Sequence, residues 1–448
     1  MAEKVAVIGT GYVGLVTGTC MAEVGHHVIC VDRDQAKIEM LKAGEIPIFE
    51  PGLQELVESN MRAGRLSFSV SMAQAVNESD FIFIAVGTPS LRNGDVDLSQ
   101  VKSAVMEAAQ HVNGDKIIVI KSTVPVGTCR QLEEWIRGSF DTDCRIDVVS
   151  NPEFLREGSA VYDTLHSDRL VIGSAVERAA ERVKRLLEPF DAPMIITDRE
   201  TSELIKYASN SFLATKISFI NEMANICEKV GADVKVVAQG MGMDQRIGPQ
   251  FLKAGIGYGG FCLPKDTKAQ LRLAYAVDYD FKIIRAVIEV NQLQRERFVK
   301  KIERVLGGSL EGKRLAVMGI AFKPETDDIR DAPSIDIIEL LEHRGAVIQA
   351  YDPVVGQQTH PSLKHLVVEK DPYRVLQGAD AMVIITEWRQ LADMDWERVK
   401  RELRSPVIID GRNIFEPGQM AGLGFEYYCI GRPGKMRRVE EPRSSASF

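Results

Sequence analysis

The 448-residue sequence is poor in cysteine, histidine and tryptophan, with seven, seven and three of each. The cysteines stand at 20, 30, 129, 144, 227, 262 and 429, an odd number with no CxxC pair. That pattern excludes a disulfide framework and points to a reducing compartment. No histidine, the neighbours His26 and His27 included, stands in metal-ligand spacing, so no metal site is expected. Long apolar runs are also missing, as is a basic start followed by a small-residue cleavage site. Neither a membrane span nor a targeting segment is therefore expected, and the default is a cytoplasmic protein. Positive charge is in deficit: 55 Lys and Arg against 63 Asp and Glu give a net charge of −8. No nucleic-acid partner is expected, and any anionic ligand must be held by a few placed cations.

What is present is a repeated grammar. The length suggests two or three domains, each able to bury its own core. "KVAVIGTGYVG" is a short apolar strand pattern that breaks into glycines; helix-compatible residues follow, then "HHVICVDRD", a second strand pattern ending at Asp32. Gly9, Gly11 and Gly14 form GxGxxG, and Asp32 lies eighteen residues beyond Gly14. A glycine-rich turn alone is weak. Between a strand and a helix, with an acid at the end of the next strand, it predicts a pyrophosphate held at a helix N-terminus and ribose hydroxyls held by the acid. The charge of Asp32 favours NAD over NADP, against the neighbouring Arg33.

Further strands are expected in "DFIFIAVGTP", "KIIVIKSTVP" and "RIDVVSNPEF", in a parallel sheet whose functional loops lie at the strand carboxyl ends. "KRLAVMGIAF", "AVIQAYDP" and "ADAMVIITEW" repeat the first lobe's strands in a second α/β lobe. Between the lobes, "TDRETSELIKYASNSFLATKISFINEMANICEKVG" predicts one long helix. Thr197 and Glu200 stand at capping-box spacing, and Gly231 is placed to end the helix. The tail after Gly431 is charged and poor in apolar residues, and is expected to be disordered. The fold class is thus α/β, with two Rossmann-like doubly wound lobes joined by a long central helix and a helical dimerisation region. The expected boundaries are 1–196, 197–308 and 309–432, with a tail at 433–448.

Several residues stand out as chemistry, each beside a blander reading. Lys206 and Asn210, four apart, share a helix face that could simply be solvated, but their surroundings are apolar and asparagine has no propensity reason to be there. Glu153 and Glu157 in "NPEFLREG" could equally be acids at the positive end of a helix. Thr123 ends another strand, where loop chemistry alone would explain it. Cys262 in "GYGGFCLPKD" would ordinarily be a small buried hydrophobe. Its glycines permit close backbone approach, and Lys265 is the kind of cation that favours a thiolate.

Taken together, "GTGYVG", "VGTP", "KSTVPVGT", "SNPEFLREGSA", "LIKYASNSFLATKISFINE", "GYGGFCLPKDTKAQL" and "AFKPETDDIRDAPS" stand in the order found in nucleotide-sugar dehydrogenases. From Lys4 to about Gly431 the chain resembles the UDP-glucose/GDP-mannose dehydrogenase family. The resemblance implies a four-electron oxidation of a sugar C6 alcohol to a carboxylate with two NAD molecules, and subunits that dimerise through the long helix. UDP-glucose is the expected substrate, with GDP-mannose or a UDP-N-acetyl hexosamine as alternatives. By the same resemblance Cys262 is the nucleophile, forming a thiohemiacetal and then a thioester. Lys206 and Asn210 donate to the oxyanion, while Asp266, Glu153 and Thr123 manage protons and water.

On the NAD side the resemblance places Gly9, Gly11, Val13, Gly14, Asp32, Lys37, Thr88, Thr123, Glu157, Lys265 and Arg330. On the sugar-nucleotide side it places Glu153, Phe154, Leu155, Arg156, Glu157, Lys206, Asn210, Phe251, Leu252, Lys253, Ala254, Gly255, Gly259 and Lys323, with Arg246 reaching a neighbouring subunit. Phe261 departs from the small polar residue many relatives carry beside the nucleophile. Two other classes share parts of the pattern. A two-electron hydroxy-acid dehydrogenase of the 6-phosphogluconate type needs no cysteine, and a silent NAD-binding regulator needs none of the lysine, asparagine and aspartate positions.

Overall fold

A computed structural model describes residues 2–433 apart from 92, 142, 357–362 and 365. The disorder expected after Gly431 does not begin there: Arg432 is buried and pairs with Asp233 and Glu416, and the chain beyond Pro433 lies outside the described residues. The chain forms two compact units. The first comprises residues up to Phe212 with Lys265–Phe281 and Glu325–Asp327; the second comprises Leu213–Pro264, Lys282–Pro324 and the described residues from Asp328 onward.

The first unit is built on eight strands: β1 (Lys4–Ile8), β2 (His27–Val31), β3 (Leu66–Ser69), β4 (Phe81–Ile84), β5 (Lys116–Ile120), β6 (Ile146–Ser150), β7 (Leu170–Gly173) and β8 (Met194–Thr197). They lie in the order β3-β2-β1-β4-β5-β6-β7-β8. In β1, Val5 and Val7 face one apolar layer while Ala6 and Ile8 face another, as the two-residue period of a strand requires. Helices Tyr12–Glu23, Leu53–Arg62 and Glu177–Leu187 cover the first face; Met72–Glu78, Ser99–Gln110 and Thr128–Ser139 cover the second. Burial on both sides is why "FIFI" and the "IIVI" after Lys116 read as unbroken apolar runs.

One expectation needs correction: the sheet is not wholly parallel. Strand β7 runs antiparallel to β6, and β8 follows β7 in parallel. The link between β6 and β7 holds only the six-residue helix Ala160–Leu165. The nineteen residues of the link are enough to cross back, but they include no helix long enough to pack along the sheet as a crossover helix does, and β7 enters from the end at which β6 leaves.

The second unit carries β9 (Arg314–Met318), β10 (Val347–Tyr351), β11 (Val367–Glu369), β12 (Ala381–Ile384), β13 (Val407–Asp410) and β14 (Glu426–Cys429). All pair in parallel, in the order β11-β10-β9-β12-β13-β14. Renumbered from one, both sheets contain the 3-2-1-4-5-6 order of dinucleotide-binding folds.

The long central helix is Arg199–Val230, 32 residues or about 48 Å. Its cap is not the one expected. Thr197 ends β8, and Asp198 caps instead: its carboxylate accepts from the Thr201 amide and hydroxyl, each at 2.7 Å. Gly231 closes the helix at φ 77°, its amide donating to the Cys227 carbonyl.

Candidate active site

In the first unit β1 delivers the chain into the glycine turn. A Cβ on Gly14 would stand 1.9 Å from the Gly9 carbonyl oxygen, so only glycine lets the helix start this close to the strand. At Gly11, by contrast, a Cβ would meet nothing within 4 Å; the space in front of the helix N-terminus is open there. No side chain caps that helix. Asp32 follows β2. Its Oδ2 accepts from the Thr10 amide (3.0 Å), the Thr10 hydroxyl (2.8 Å) and Lys37 Nζ (3.1 Å), and its Oδ1 accepts from the Asp34 amide. Burial alone would raise its carboxyl, but these donors outweigh burial and hold it below the ordinary value.

A cavity of about 290 Å³ opens at the turn, lined by Gly9, Gly11, Asp32, Arg33, Lys37 and Gln100 among others. An uncapped helix start, a glycine cradle and an ionised acid in one cavity fit the pyrophosphate and ribose of a dinucleotide. Val13 lies in the first turn of the helix and Thr88 is buried beyond β4.

A second cluster of the same unit is almost dry. Lys206 Nζ donates to Glu153 Oε1 at 2.8 Å, with side-chain exposures of 4% and 5%. The other Glu153 oxygen accepts from the Leu155 amide at 2.7 Å. One turn along the central helix, Asn210 Nδ2 donates to Asp266 Oδ2 at 2.6 Å. The other Asp266 oxygen accepts from Lys265 Nζ at 2.5 Å. Both acids are thus held by buried cations or amides, which is what permits charge in so dry a place. The Phe154 ring lies beneath Arg169 and faces Lys206, while Arg156 makes a forked pair with Asp163. Thr123 and Glu157 are half-buried in the loops after β5 and β6.

Two residues here escaped the reading of the sequence. Lys121, directly after β5, is buried and donates to Asn151 Oδ1 at 3.0 Å. Glu203 accepts from the amides of Gly127 and Cys129 and so anchors the start of helix Thr128–Ser139; burial raises its carboxyl despite those donors. The lysine in "VIKSTVP" was visible, but nothing in spacing marks a lysine as buried.

In the second unit, Cys262 is half-buried as the first residue of helix Cys262–Ala276. Its loop is fixed from below. Asn291 accepts from the Tyr258 amide (2.8 Å) and donates to the Tyr258 carbonyl (3.1 Å); Asn221 and Gln294 hold the amide and carbonyl of Gly255. The close approach expected at Gly259 is made by the protein itself: a Cβ there would stand 2.4 Å from Pro333 Cδ. Phe251 adopts φ 62°, Leu252 and Ala254 are buried, and Lys253 is exposed. Phe261 finds a role: the Arg330 guanidinium lies 4.2 Å from its ring centre and pairs with Asp328. Lys323 lies over Phe322, and the exposed Arg246 pairs with Asp244. The candidate residues therefore fall into two groups, one in each unit.

Among the described residues no helix is long and apolar enough to cross a membrane, and no group of three or more metal-ligating side chains is assembled.

Models of the UDP-glucose/GDP-mannose dehydrogenase family match in three successive parts: the NAD binding domain over residues 3–191, the central domain over 200–293 and the UDP binding domain over 316–417. The chain is 51% identical over 432 residues to the UDP-glucose 6-dehydrogenase TuaD of Bacillus subtilis, covering 96% of this chain and 94% of that protein. It is 47% identical over 436 residues to a UDP-glucose 6-dehydrogenase of Rhizobium meliloti, covering 96% and 100%. Among solved structures, a UDP-glucose dehydrogenase of Pyrobaculum islandicum superposes with a TM-score of 0.89 at 36% identity, covering 97% of this chain and 98% of that one. A UDP-D-ManNAc dehydrogenase of Pyrococcus horikoshii gives 0.85 at 27% identity, covering 96% and 99%. The chain belongs to the UDP-glucose/GDP-mannose dehydrogenase family and is an NAD-dependent dehydrogenase.

Proposed function

We propose that this chain oxidises UDP-glucose to UDP-glucuronate through a thioester on Cys262. The observation that carries the reading is the dry network of Lys206, Glu153, Asn210 and Asp266, found in a chain 51% identical to a UDP-glucose 6-dehydrogenase. NAD, when bound, accepts one hydride in each of two oxidations. In the first, the C6 hydroxyl proton passes to a base of the network while C6 becomes an aldehyde. Cys262 Sγ then adds to the aldehyde carbon, and its thiol proton is taken up within the same network. The resulting thiohemiacetal keeps the aldehyde from escaping. A second hydride loss from C6 leaves a thioester. Water adds to it, Lys206 and Asn210 donate to the oxyanion, and the C–S bond breaks to release the carboxylate and restore the thiol. Glu153 and Asp266, with Thr123, hold or move the protons of these steps.

Asp32, Lys37 and the glycines would hold the dinucleotide, with Val13, Thr88, Glu157, Lys265 and Arg330 completing that side. The segments Phe154–Glu157 and Phe251–Gly255, with Gly259 and Lys323, would hold the sugar nucleotide. The division at 1–196, 197–308 and 309–432 is supported by the three family-model ranges. A homodimer is supported by Phe212, Phe219 and Ile226, which recur every seven residues along the central helix with exposures of 65%, 49% and 50%. Arg246 would reach the partner's substrate by giving up its pair with Asp244. A cytoplasmic location is supported by seven cysteines, none of which forms a disulfide.

Turnover of purified protein tests the assignment. The expected result is two NADH per UDP-glucose, with GDP-mannose and UDP-N-acetyl hexosamines turned over poorly under the same conditions. One NADH per sugar with free aldehyde accumulating would overturn the mechanism; faster turnover of another sugar nucleotide would overturn the substrate.

A further inference from the structure

We propose that Lys121 is a positioning residue, a second buried cation that keeps Glu153 ionised when Lys206 turns from it toward the substrate. This rests on the role given to Glu153 above. In the structure the whole charge of Glu153 is balanced on one side by Lys206 and on the other by a neutral amide, that of Leu155. Once Lys206 donates to an oxyanion, the carboxylate would be left at 5% exposure with that amide alone. A buried carboxylate without a cation takes up a proton, and a protonated Glu153 cannot accept one from water.

Lys121 supplies the missing charge. It sits at the end of β5, and the charged groups acting on it are Glu153 and Lys206. Burial pushes its ammonium down to about 8, with Glu153 opposing and Lys206 reinforcing the shift, so it still carries a proton at neutral pH. Its position is set by a neutral partner. Asn151 Oδ1 accepts from Lys121, Asn151 Nδ2 donates to the Val171 carbonyl, and the Asn151 amide donates to the Ile120 carbonyl. Asn151 thus fixes the lysine without neutralising it, and two residues later the same loop delivers Glu153. A carboxylate at position 151 would have consumed the charge; an amide leaves it for Glu153.

The test is the pH profile of kcat for the parent, Lys121→Gln, Lys121→Arg and Asn151→Asp, with NAD titration and thermal unfolding on each. Lys121→Gln keeps a donor for Asn151 but removes the charge. Its acid limb should move up by roughly one pH unit, the smaller end of what one neighbouring charge does to a carboxyl, while NAD affinity and the KM for UDP-glucose hold. Lys121→Arg should return the limb toward the parent. Asn151→Asp, which pairs the lysine elsewhere, should move it up as Lys121→Gln does, and serves if the position-121 variants do not fold. An unmoved acid limb in folded Lys121→Gln or Asn151→Asp, beside an inactive Glu153→Gln, overturns the proposal alone. Glu153→Gln as active as the parent overturns the role of Glu153 and the proposal with it. Loss of activity by the same factor at every pH reduces Lys121 to a structural residue and also overturns the proposal.

Discussion

Replacing Asp32 by asparagine isolates what its charge does. The change keeps the size of the side chain, and the geometry shows which contacts survive. Both Thr10 donors reach Oδ2, so the amide would keep its oxygen there and turn its NH2 to the Asp34 amide. One long hydrogen bond of 3.2 Å is lost, and the partly exposed ion pair with Lys37 becomes a hydrogen bond to a neutral oxygen. Together these cost about 1 kcal/mol, not enough to collapse the turn. The effect on cofactor choice is larger. A carboxylate repels each charge of a 2′-phosphate by about 4 kcal/mol at 4 Å and an effective dielectric constant of 20. With Asp32 side-chain exposure at 15%, salt removes part of this.

We expect about 3 kcal/mol to remain, a shift of about 100-fold in the ratio of kcat/KM for NADP to that for NAD. Lys37, its charge no longer neutralised, and Arg33 would then be available to the phosphate. The assay is NADH or NADPH formation over a cofactor series at fixed UDP-glucose. An unchanged ratio, with NAD affinity otherwise normal, would refute the assignment of Asp32 as the group that reads the ribose. The sign of the pH effect follows from the same contacts. The folded value of Asp32 lies below its ordinary 3.8, so its contribution to stability is fully present above about pH 4 and is lost as pH falls through the folded value. Asp32→Asn should therefore flatten the stability of the protein against pH only in that acid window, as read by unfolding in denaturant.

Cys262→Ala should abolish UDP-glucuronate formation and leave NAD affinity within about twofold, since the thiol is not among the groups proposed to hold the dinucleotide; acid formation at the parent rate in a product assay would remove the thioester from the scheme. Gly14→Ala should cost about 1–3 kcal/mol and weaken NAD binding, because its Cβ would meet the Gly9 carbonyl at 1.9 Å and neither backbone can yield cheaply; equal melting temperatures would contradict that contact. Asp352→Asn in the second unit should lower thermal stability while leaving the NADP to NAD ratio untouched, and a change in that ratio would show that this lobe also reads the cofactor.

The strands of both lobes were legible because parallel sheets bury both faces and leave runs such as "FIFI" that no loop would carry. Where the sequence misled, a local signal was outbid by its neighbour. Thr197 had the capping spacing, yet β8 held it in a ladder and left Asp198 to cap. The turn of β7 against β6 was not legible at all, because strand direction is set by the connection and not by the strand's own residues. At the site, Lys206 and Asn210 could be paired by spacing, but their partners Glu153 and Asp266 lie 53 and 56 residues away. Lys121 shows the limit most clearly. Its neighbours in sequence are apolar and hydroxyl residues, and only the fold reveals that a carboxylate and a second ammonium act on it.

The two lobes also show why one strand pattern can serve two ends. "HVICVDRD" and "AVIQAYDP" both place an aspartate after the second strand, at Asp32 and Asp352. The acids do not have the same freedom. Asp352 Oδ2 accepts from the amides of Ile320 and Ala321 and from Trp388 Nε1; its Oδ1 accepts from the amides of Val354 and Val355. Five donors and complete burial leave it nothing with which to hold a ribose. Asp32 has partners too, but it opens onto a cavity at a glycine turn, and the second lobe has "MGIAFKP" where the first has "IGTGYVG". The aspartate that opens onto a cavity in one lobe pins its own loop in the other. The strand-end acid is therefore a feature of the fold, and its chemistry is decided by how many of its lone pairs the neighbouring turn leaves over.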